Sequence, residues 1–214
     1  MKVFSSTCTF DYTWAEVSTA NWRKYCPWND KSTHVMAVDT LSRTLDPVTQ
    51  ILRTERLITC KQTAPAWVRQ LLGGSDTSHV HEISYVDPVE RKVTMISTNL
   101  TWSNILSVRE TVTYSPVVVR KKAEAKENEK ERRQEQEQEE EKTAFGQEAK
   151  ITALCGGWQK IKTKIEEASV ERFGENAIKG REGFEAVLAM SRRVFGEERE
   201  RVEQQQQRQS TAVA

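Results

Sequence analysis

The chain has 214 residues and a formal net charge of only +1, from 32 Lys and Arg against 31 Asp and Glu. This balance argues against a nucleic-acid-binding protein, which usually concentrates a basic excess on one face. The absence of any run of 18 apolar residues argues against a transmembrane helix, and four cysteines without Cys-x-x-Cys spacing argue against a zinc site or a disulfide scaffold.

The start of the chain predicts a strand followed by a short helix. Apolar and polar residues alternate in KVFSSTCTF (2–10), as they do in a half-buried strand. TWAEVSTANWRKY (13–25) carries apolar residues at helical spacing, with Thr13 as the N-cap and Glu16 at the capping-box position. Pro27 ends this helix because proline cannot continue the backbone hydrogen bonds.

The region from residue 34 to residue 116 predicts further strands. Five segments are of strand length, rich in β-branched residues and bounded by turn residues: HVMAVDTLSR, QILRTERLITC, SHVHEISYVD, KVTMISTNLT and NILSVRETVTYS. Asp87 and Pro88 predict a hairpin turn between the third and fourth of them. Because the links between consecutive strands are short, we expect an antiparallel meander rather than a parallel sheet.

Three segments depart from this pattern. APAWVRQLLGGS (64–75) is too short for a core helix and too apolar for an ordinary surface loop. Residues 118–142 form a charged insertion, interpreted as a solvated, partly helical or disordered excursion because it has no apolar stripe to dock. We therefore expect one domain, residues 1–195, interrupted by this insertion and followed by a disordered, Gln-rich and charged tail, residues 196–214.

The end of the domain predicts one long helix, from Trp158 to about Phe195. On a helical wheel, several apolar residues fall within one arc of about 100°. These residues are Trp158, Ile161, Ile165, Ala168, Val187 and Val194. Arg172, Asn176 and Lys179 fall inside the same arc, where an unpaired buried cation costs several kcal/mol. Two interpretations stay open: the cations reach solvent or acidic neighbours, or they line a pocket for an anionic ligand.

Three glycines interrupt the same helix, and each costs roughly 1 kcal/mol relative to Ala. Gly183 shares the apolar arc, Gly180 lies at its edge and Gly174 faces elsewhere. One reason for such glycines is that another group approaches the helix backbone closely.

An antiparallel sheet wrapped around a long helix can enclose a cavity between the two. A cavity with phosphate-binding cations at one point and apolar walls elsewhere suits a phospholipid. No nucleophile–base pair, metal cluster or phosphate-cradling glycine loop is evident, so we expect a carrier rather than an enzyme.

Several stretches together resemble the PRELI domain family, and within it the slowmo-like branch that includes fungal phosphatidylserine carriers. The stretches are FDYTWAEVSTANWRKY, STHVMAVDTLSR, TERLITCKQ, SHVHEISYVDP, TNLTW, ETVTYSP and VERFGENAIKGREGF. The resemblance covers residues 1 to about 116 and 143 to 195. It rests on the order, the spacing and the amino-acid sequences of these motifs taken together.

The resemblance implies an α+β, START-like helix-grip fold, with a meander of about seven strands around the C-terminal helix and a lipid cavity between them. It implies transfer of phosphatidylserine between the outer and inner mitochondrial membranes, which supports mitochondrial phosphatidylethanolamine synthesis. The implied partner is a small helical-hairpin protein with twin Cys-x9-Cys motifs, in the intermembrane space. Trapping by this partner would account for a start, MKVFSSTCTFDYTW, that does not resemble a secretory signal or a presequence. No cofactor or metal is implied.

The resemblance also implies a set of headgroup-binding residues near one end of the cavity. These are Lys24, His34, Arg56, Lys61, Arg172, Asn176 and Lys179. Two departures from the family pattern accompany them. Cys60 replaces a basic residue of the phosphatidic-acid branch, which argues mildly against phosphatidic acid, and YCPWND replaces the usual YPNP after the first helix.

The family's lid loop falls on residues 64–75. Its implied membrane-contact residues are Pro65, Trp67, Val68, Arg69, Leu71 and Leu72. The apolar side chains of such a loop suit the bilayer interface, and its arginine suits anionic lipid headgroups. The alternative is a buried cap that packs on the sheet.

Other functions stay open at this point. Phosphatidic acid transfer that feeds cardiolipin synthesis uses the same framework, so the sequence does not fix the headgroup. A protein-interaction scaffold would act through the charged insertion, and an enzyme would need a titratable pair, for which His34 with Asp39 is the one faint candidate. His79 and His81 are better explained as ordinary strand residues than as a metal site.

Overall fold

The computed structural model describes residues 1–61, 77–121, 138–154 and 159–212. Its strands and helices follow in chain order: β1 (Lys2–Phe10), α1 (Trp14–Ala20), β2 (Val35–Leu45), β3 (Leu52–Lys61), β4 (Thr77–Asp87), β5 (Lys92–Asn99), β6 (Leu106–Lys121), β7 (Gln138–Ala153) and α2 (Gln159–Ala212). Two single-turn 3₁₀ helices, Asn21–Arg23 and Asp30–Ser32, lie between α1 and β2.

The seven strands form one antiparallel sheet, in the order β1-β7-β6-β5-β4-β3-β2. Strands β2 to β7 are neighbours in chain order, which confirms the predicted meander, and β1 pairs with β7 at the far side. The predicted hairpin turn is also confirmed, because the Asp87 carboxylate accepts hydrogen bonds from the backbone N–H groups of Val89 and Glu90, each at 2.9 Å.

Helix α1 begins as its capping box predicts. The Thr13 hydroxyl accepts a hydrogen bond from the Glu16 backbone N–H at 3.4 Å, and the Glu16 carboxylate accepts one from the Thr13 backbone N–H at 2.9 Å. These bonds satisfy donors that an isolated helix start would leave unpaired. The cap directs Trp14 and Val17 into the core, where both are buried.

The main core lies where α1 and α2 pack on the sheet. It consists of Phe10, Trp14, Val17, Ala20, Val93, Met95, Val112, Tyr114, Phe184, Val187 and Leu188. The Phe10 and Phe184 rings meet edge to face at 5.5 Å between centroids, which joins α2 to β1. We call the sheet face that carries this core the inner face.

The predicted apolar stripe of α2 is confirmed at Ile165 and Val187, which are buried, but not at Val194, which is 43% exposed. Among the described residues of α2, the last buried side chain is Ser191, so Val194 lies past the end of the core. Helix α2 packs most extensively against β1, β7, α1 and the Asp30–Ser32 turn.

Gly183 allows a close approach, as the sequence suggests, and the approaching group is the chain itself. A Cβ atom at Gly183 would lie 2.7 Å from Lys31 Cβ and 2.9 Å from Asn29 Oδ1. The turn before β2 therefore packs directly on the backbone of α2. At Gly180, in contrast, a Cβ atom would meet nothing within 4 Å.

Regular structure extends further than the sequence predicts at two places. Within the expected insertion, β6 continues as far as Lys121 and β7 begins at Gln138. Helix α2 continues through the expected tail to Ala212. Cross-strand charge pairs favour the longer hairpin, such as Arg120 Nε with Glu139 Oε1 at 3.3 Å. The Glu, Arg and Gln residues of the tail are good helix formers. Residues 122–137 lie outside the described chain.

Candidate functional site

A row of polar residues crosses the inner face from β3 to β6. Arg56 pairs in register with Glu82, Glu82 with Ser97, and Ser97 with Glu110. Strand alternation places these residues on the same face as buried neighbours such as Tyr114. We call Arg56, Glu82, Ser97 and Glu110 the polar row.

Arg56 and Glu82 form a buried ion pair within the polar row. Their side chains are 4% and 2% exposed, and Arg56 Nε lies 2.8 Å from Glu82 Oε1, with a second contact from Arg56 Nη2. The guanidinium also lies 5.2 Å from the Trp22 ring centroid and 6.0 Å from that of Tyr25. The predicted headgroup residue Arg56 therefore already shares its charge with a carboxylate.

The positive charges of three residues act on His34, which directly precedes β2. Partial burial lowers the pKa of His34 from its ordinary value, and the positive charges of Arg172, Lys179 and Lys24 lower that pKa further. His34 is exposed, so solvent screens these charges, yet all three act on one ring. We call Lys24, Arg172 and Lys179 the cation cluster. It joins a residue after α1 to two residues about two turns apart on α2.

Lys24 links the cation cluster to the interior. Burial alone would lower the pKa of Lys24, but the neighbouring acidic groups, led by Tyr25 and followed by Tyr114, Glu82 and Glu110, outweigh burial and raise it. Its ammonium nitrogen lies 5.0 Å from the Tyr25 ring centroid. Lys24 is therefore cationic at neutral pH.

The remaining predicted headgroup residues lie around this cluster. Asn176 is exposed on α2 between Arg172, which is half-buried, and Lys179, which is exposed. Lys61 is exposed, and its backbone N–H donates to the His34 carbonyl at 2.7 Å, which places it at the same end of the sheet. The three helix residues thus border the domain interior instead of lying within the buried core.

The lid prediction lies outside the described residues. It concerns Pro65, Trp67, Val68, Arg69, Leu71 and Leu72, between β3 and β4. Cys60, the departure at the end of β3, is half-buried, and burial raises the pKa of its thiol.

Sequence reasoning missed the acidic members of the interior. Burial raises the pKa of Glu110, and its Oε1 accepts a hydrogen bond from Gln147 Nε2 at 2.5 Å. Glu82 neutralises Arg56, as described above. Both residues could have been found from strand alternation, because Glu110 is two positions from Val112 and Glu82 is two positions from Ser84, and both neighbours are buried.

The histidines of β4 have ordinary partners on the other face. His79 Nδ1 lies 3.2 Å from Thr59 Oγ1, and His81 Nε2 lies 2.7 Å from Glu55 Oε1. Within the described ranges, no three His, Cys, Asp or Glu side chains are grouped as metal ligands would be. Within the same ranges, no helix combines the length and apolar character needed to cross a bilayer.

Comparison with a solved structure confirms the fold class. TTHA0849 from Thermus thermophilus superposes with a TM-score of 0.51 at 10% sequence identity, covering 89% of this chain and 99% of that one. At this identity the likeness shows the fold alone, a START-like helix grip with an open seven-stranded sheet and a long C-terminal helix.

Sequence comparisons show the family. Residues 15–129 and 122–194 match the model of the PRELI-like family. Protein UPS2, mitochondrial, of Saccharomyces cerevisiae is 46% identical over 188 residues, which cover 88% of this chain and 73% of that protein. The UPS-like protein C36.10 of Schizosaccharomyces pombe is 43% identical over 189 residues, covering 88% and 89%. Protein slowmo homolog of Dictyostelium discoideum is 32% identical over 180 residues, covering 84% and 68%. The chain therefore belongs to the PRELI-like family.

Proposed function

We propose that this protein carries phosphatidylserine between the outer and inner mitochondrial membranes. The family resemblance supports lipid transfer, and the name of the Saccharomyces cerevisiae relative supports a mitochondrial location. The observation that carries the proposal is that the positive charges of Lys24, Arg172 and Lys179 all act on His34. A lipid phosphate placed there would receive counter-charge from two separate elements.

Outside the bilayer, the acyl chains of the lipid need another apolar environment. A two-chain phospholipid has on the order of 30 methylenes, and each is worth about 0.8 kcal/mol when it is buried. The inner face offers apolar side chains beside the polar row, including Ile58, which is 4% exposed, and Ile151, which is fully buried. The space between this face and α2 is where we place the acyl chains.

The same arrangement fits a carrier better than a catalyst. Arg56 and Glu82, two charged groups of the interior, pair with each other, and the positive charges of Lys24, Arg172 and Lys179 act together on His34. We propose that the protein acts in the intermembrane space, soluble or peripheral on the inner membrane, with a small twin Cys-x9-Cys partner. Transient contact with anionic membrane surfaces would then load and unload the lipid, and transfer would support mitochondrial phosphatidylethanolamine synthesis.

Liposome-to-liposome transfer of labelled lipids tests the proposal. The protein is co-expressed with a twin Cys-x9-Cys partner and assayed with phosphatidylserine, phosphatidic acid and phosphatidylcholine. We expect phosphatidylserine to move fastest. Faster phosphatidic acid transfer would replace the proposed cargo, and no transfer by a folded complex would overturn the carrier function and favour a scaffold.

A further inference from the structure

Two buried hydrogen-bond acceptors on or beside the inner face have no donor among the described residues. Glu110 receives the Gln147 amide, but no described group donates to Gln147 Oε1. Asn21 is 1% exposed and its Oδ1 is also unpartnered, while its Nδ2 lies 3.5 Å from Met95 Sδ. A buried acceptor without a donor is costly, so such groups suit a ligand that brings donors.

Strand register brings these acceptors into one neighbourhood. Met95, which contacts Asn21, pairs with Val112, and Val112 pairs with Gln147. Glu110 is two residues before Val112 and therefore points to the same face. Glu110 and Gln147 therefore lie on the adjacent strands β6 and β7, and Asn21 contacts β5 on the other side of β6, at the β6 end of the polar row.

The two carboxylates of the polar row differ in their partners. Glu82 is neutralised by Arg56 in the buried ion pair. Glu110 forms no ion pair with a described side chain, and burial is the main influence on its carboxyl group. A cationic ligand group beside Glu110 would favour the charged form of its carboxyl group, because an opposite charge offsets the effect of burial.

Lys24 is the member of the cation cluster that connects it to the acceptors of Asn21, Gln147 and Glu110. Its charge acts on His34, together with Arg172 and Lys179, and it acts also on Glu110. The Tyr25 ring links Lys24 to the polar row, because Lys24 Nζ lies 5.0 Å and the Arg56 guanidinium 6.0 Å from the ring centroid. A headgroup with its phosphate in the cation cluster could place a cationic group beside Glu110.

We propose that Glu110, assisted by Gln147 Oε1 and Asn21 Oδ1, recognises the ammonium group of an amino-bearing phospholipid headgroup. This inference rests on the proposed function and deepens it, because it names a residue that selects the cargo. An ammonium group has three N–H donors and one positive charge, which match two unpartnered amide oxygens and one carboxylate. Phosphatidic acid has no such group and leaves the acceptors unpaired.

The test compares two cargoes that differ only at the amine. N-acetyl-phosphatidylserine keeps the phosphate and the carboxylate of phosphatidylserine but lacks the ammonium charge. Liposome transfer of both lipids, and of phosphatidic acid, is measured for the partner-bound wild type and for Glu110→Gln. The matched control is Glu148→Gln, which changes a carboxylate that pairs with Lys150 and is 52% exposed.

We expect the wild type to prefer phosphatidylserine over its N-acetyl form by about ten-fold or more, as a charge-assisted hydrogen bond implies. Glu110→Gln should lose most of this preference while phosphatidic acid transfer stays within about two-fold. The substitution keeps the side-chain shape and an amide that can bond Gln147, and thermal unfolding verifies that the variant is folded.

The outcomes separate this inference from the proposed function. An unchanged preference in Glu110→Gln, or an equal loss for all three lipids, overturns the role of Glu110 while transfer itself stands. A similar loss of preference in Glu148→Gln also overturns it. Absence of transfer by the wild type would overturn the carrier function together with the inference.

Discussion

Arg172 and Lys179 carry the charge that the proposed headgroup site needs from α2. Reversing either charge places a carboxylate where a lipid phosphate would bind, so we expect Arg172→Glu and Lys179→Glu each to slow phosphatidylserine transfer at least about ten-fold. Transfer kinetics measure this effect. The matched control is Lys164→Glu, an exposed charge on the same helix. Equal losses in all three variants would contradict a specific role for the cation cluster.

The titration of His34 is sensitive to the positive charges of the cation cluster. Because its pKa is lowered on folding, the unfolded chain binds a proton first as the pH falls below 6.5, and this residue then opposes folding. We therefore expect the free energy of unfolding to decrease as the pH is lowered from 7.5 to below the pKa of His34 in the folded protein. The part due to His34 should disappear in His34→Gln, as measured by urea unfolding.

A bound anion should change this titration in a defined direction. The negative charge of phosphatidylserine would offset Arg172, Lys179 and Lys24, so the pKa of His34 should rise toward 6.5 when lipid binds. NMR titration of the ring protons with and without lipid measures the shift. An unchanged or lowered pKa would place the headgroup elsewhere.

The buried pair of Arg56 and Glu82 gives a fourth prediction at this scale. Arg56→Met leaves a buried carboxylate without its partner, and we expect a loss of about 3–5 kcal/mol in the free energy of unfolding. The double variant Arg56→Met/Glu82→Leu removes both charges and should recover most of the loss. Chemical denaturation measures the free energy of unfolding of both variants. Recovery in the double variant indicates that Arg56 and Glu82 act as a pair, whereas an additional loss indicates independent contributions.

Sequence patterns predict which residues face the interior but not which of them meet. Alternation along β4 and β6 is enough to place Glu82 and Glu110 inward, although neither residue is among the predicted site residues. The pairing of Arg56 with Glu82 depends on the register between β3 and β4. Likewise, the grouping of Lys24 with Arg172 depends on how α2 crosses the sheet, and local periodicity carries no information about that crossing.

At the scale of secondary structure, two glycines of α2 make a matched pair. Gly183→Ala would bring a Cβ atom within 2.7 Å of Lys31 Cβ, whereas Gly180→Ala meets no atom within 4 Å. We expect Gly180→Ala to stabilise the protein by up to about 1 kcal/mol through helix propensity and Gly183→Ala to destabilise it. Thermal unfolding compares the two. Stabilisation by Gly183→Ala would contradict the close packing of the Asp30–Ser32 turn on α2.

The elements that the sequence predicts best are those with strong local signals. The capping box of α1 and the strands of the meander appear where alternation and turn residues place them. The extended hairpin of β6 and β7 is different, since its charged residues resemble a solvated helix. Its stability comes from partners far along the chain, as when Glu141 accepts the Trp14 backbone N–H at 3.0 Å and pairs with Arg91 at 2.7 Å.

For the whole molecule, the helix-grip fold and the family membership agree with the sequence patterns. The fold itself does not determine a cargo, because function depends on the residues of the site. The cargo proposal therefore rests on where the chain places its charges: a cation cluster that acts on His34, before the start of β2, and a polar row that ends at Glu110 on the inner face.

Native mass spectrometry of the purified, partner-bound protein tests the central claim most directly. We predict one phospholipid per complex in the wild type and in Lys164→Glu, with phosphatidylserine taken up from mixed liposomes in preference to phosphatidylcholine. Arg172→Glu and Lys179→Glu should show much lower occupancy. A folded wild-type complex that takes up no phospholipid, or equal occupancy in the charge-reversed variants, would contradict the account.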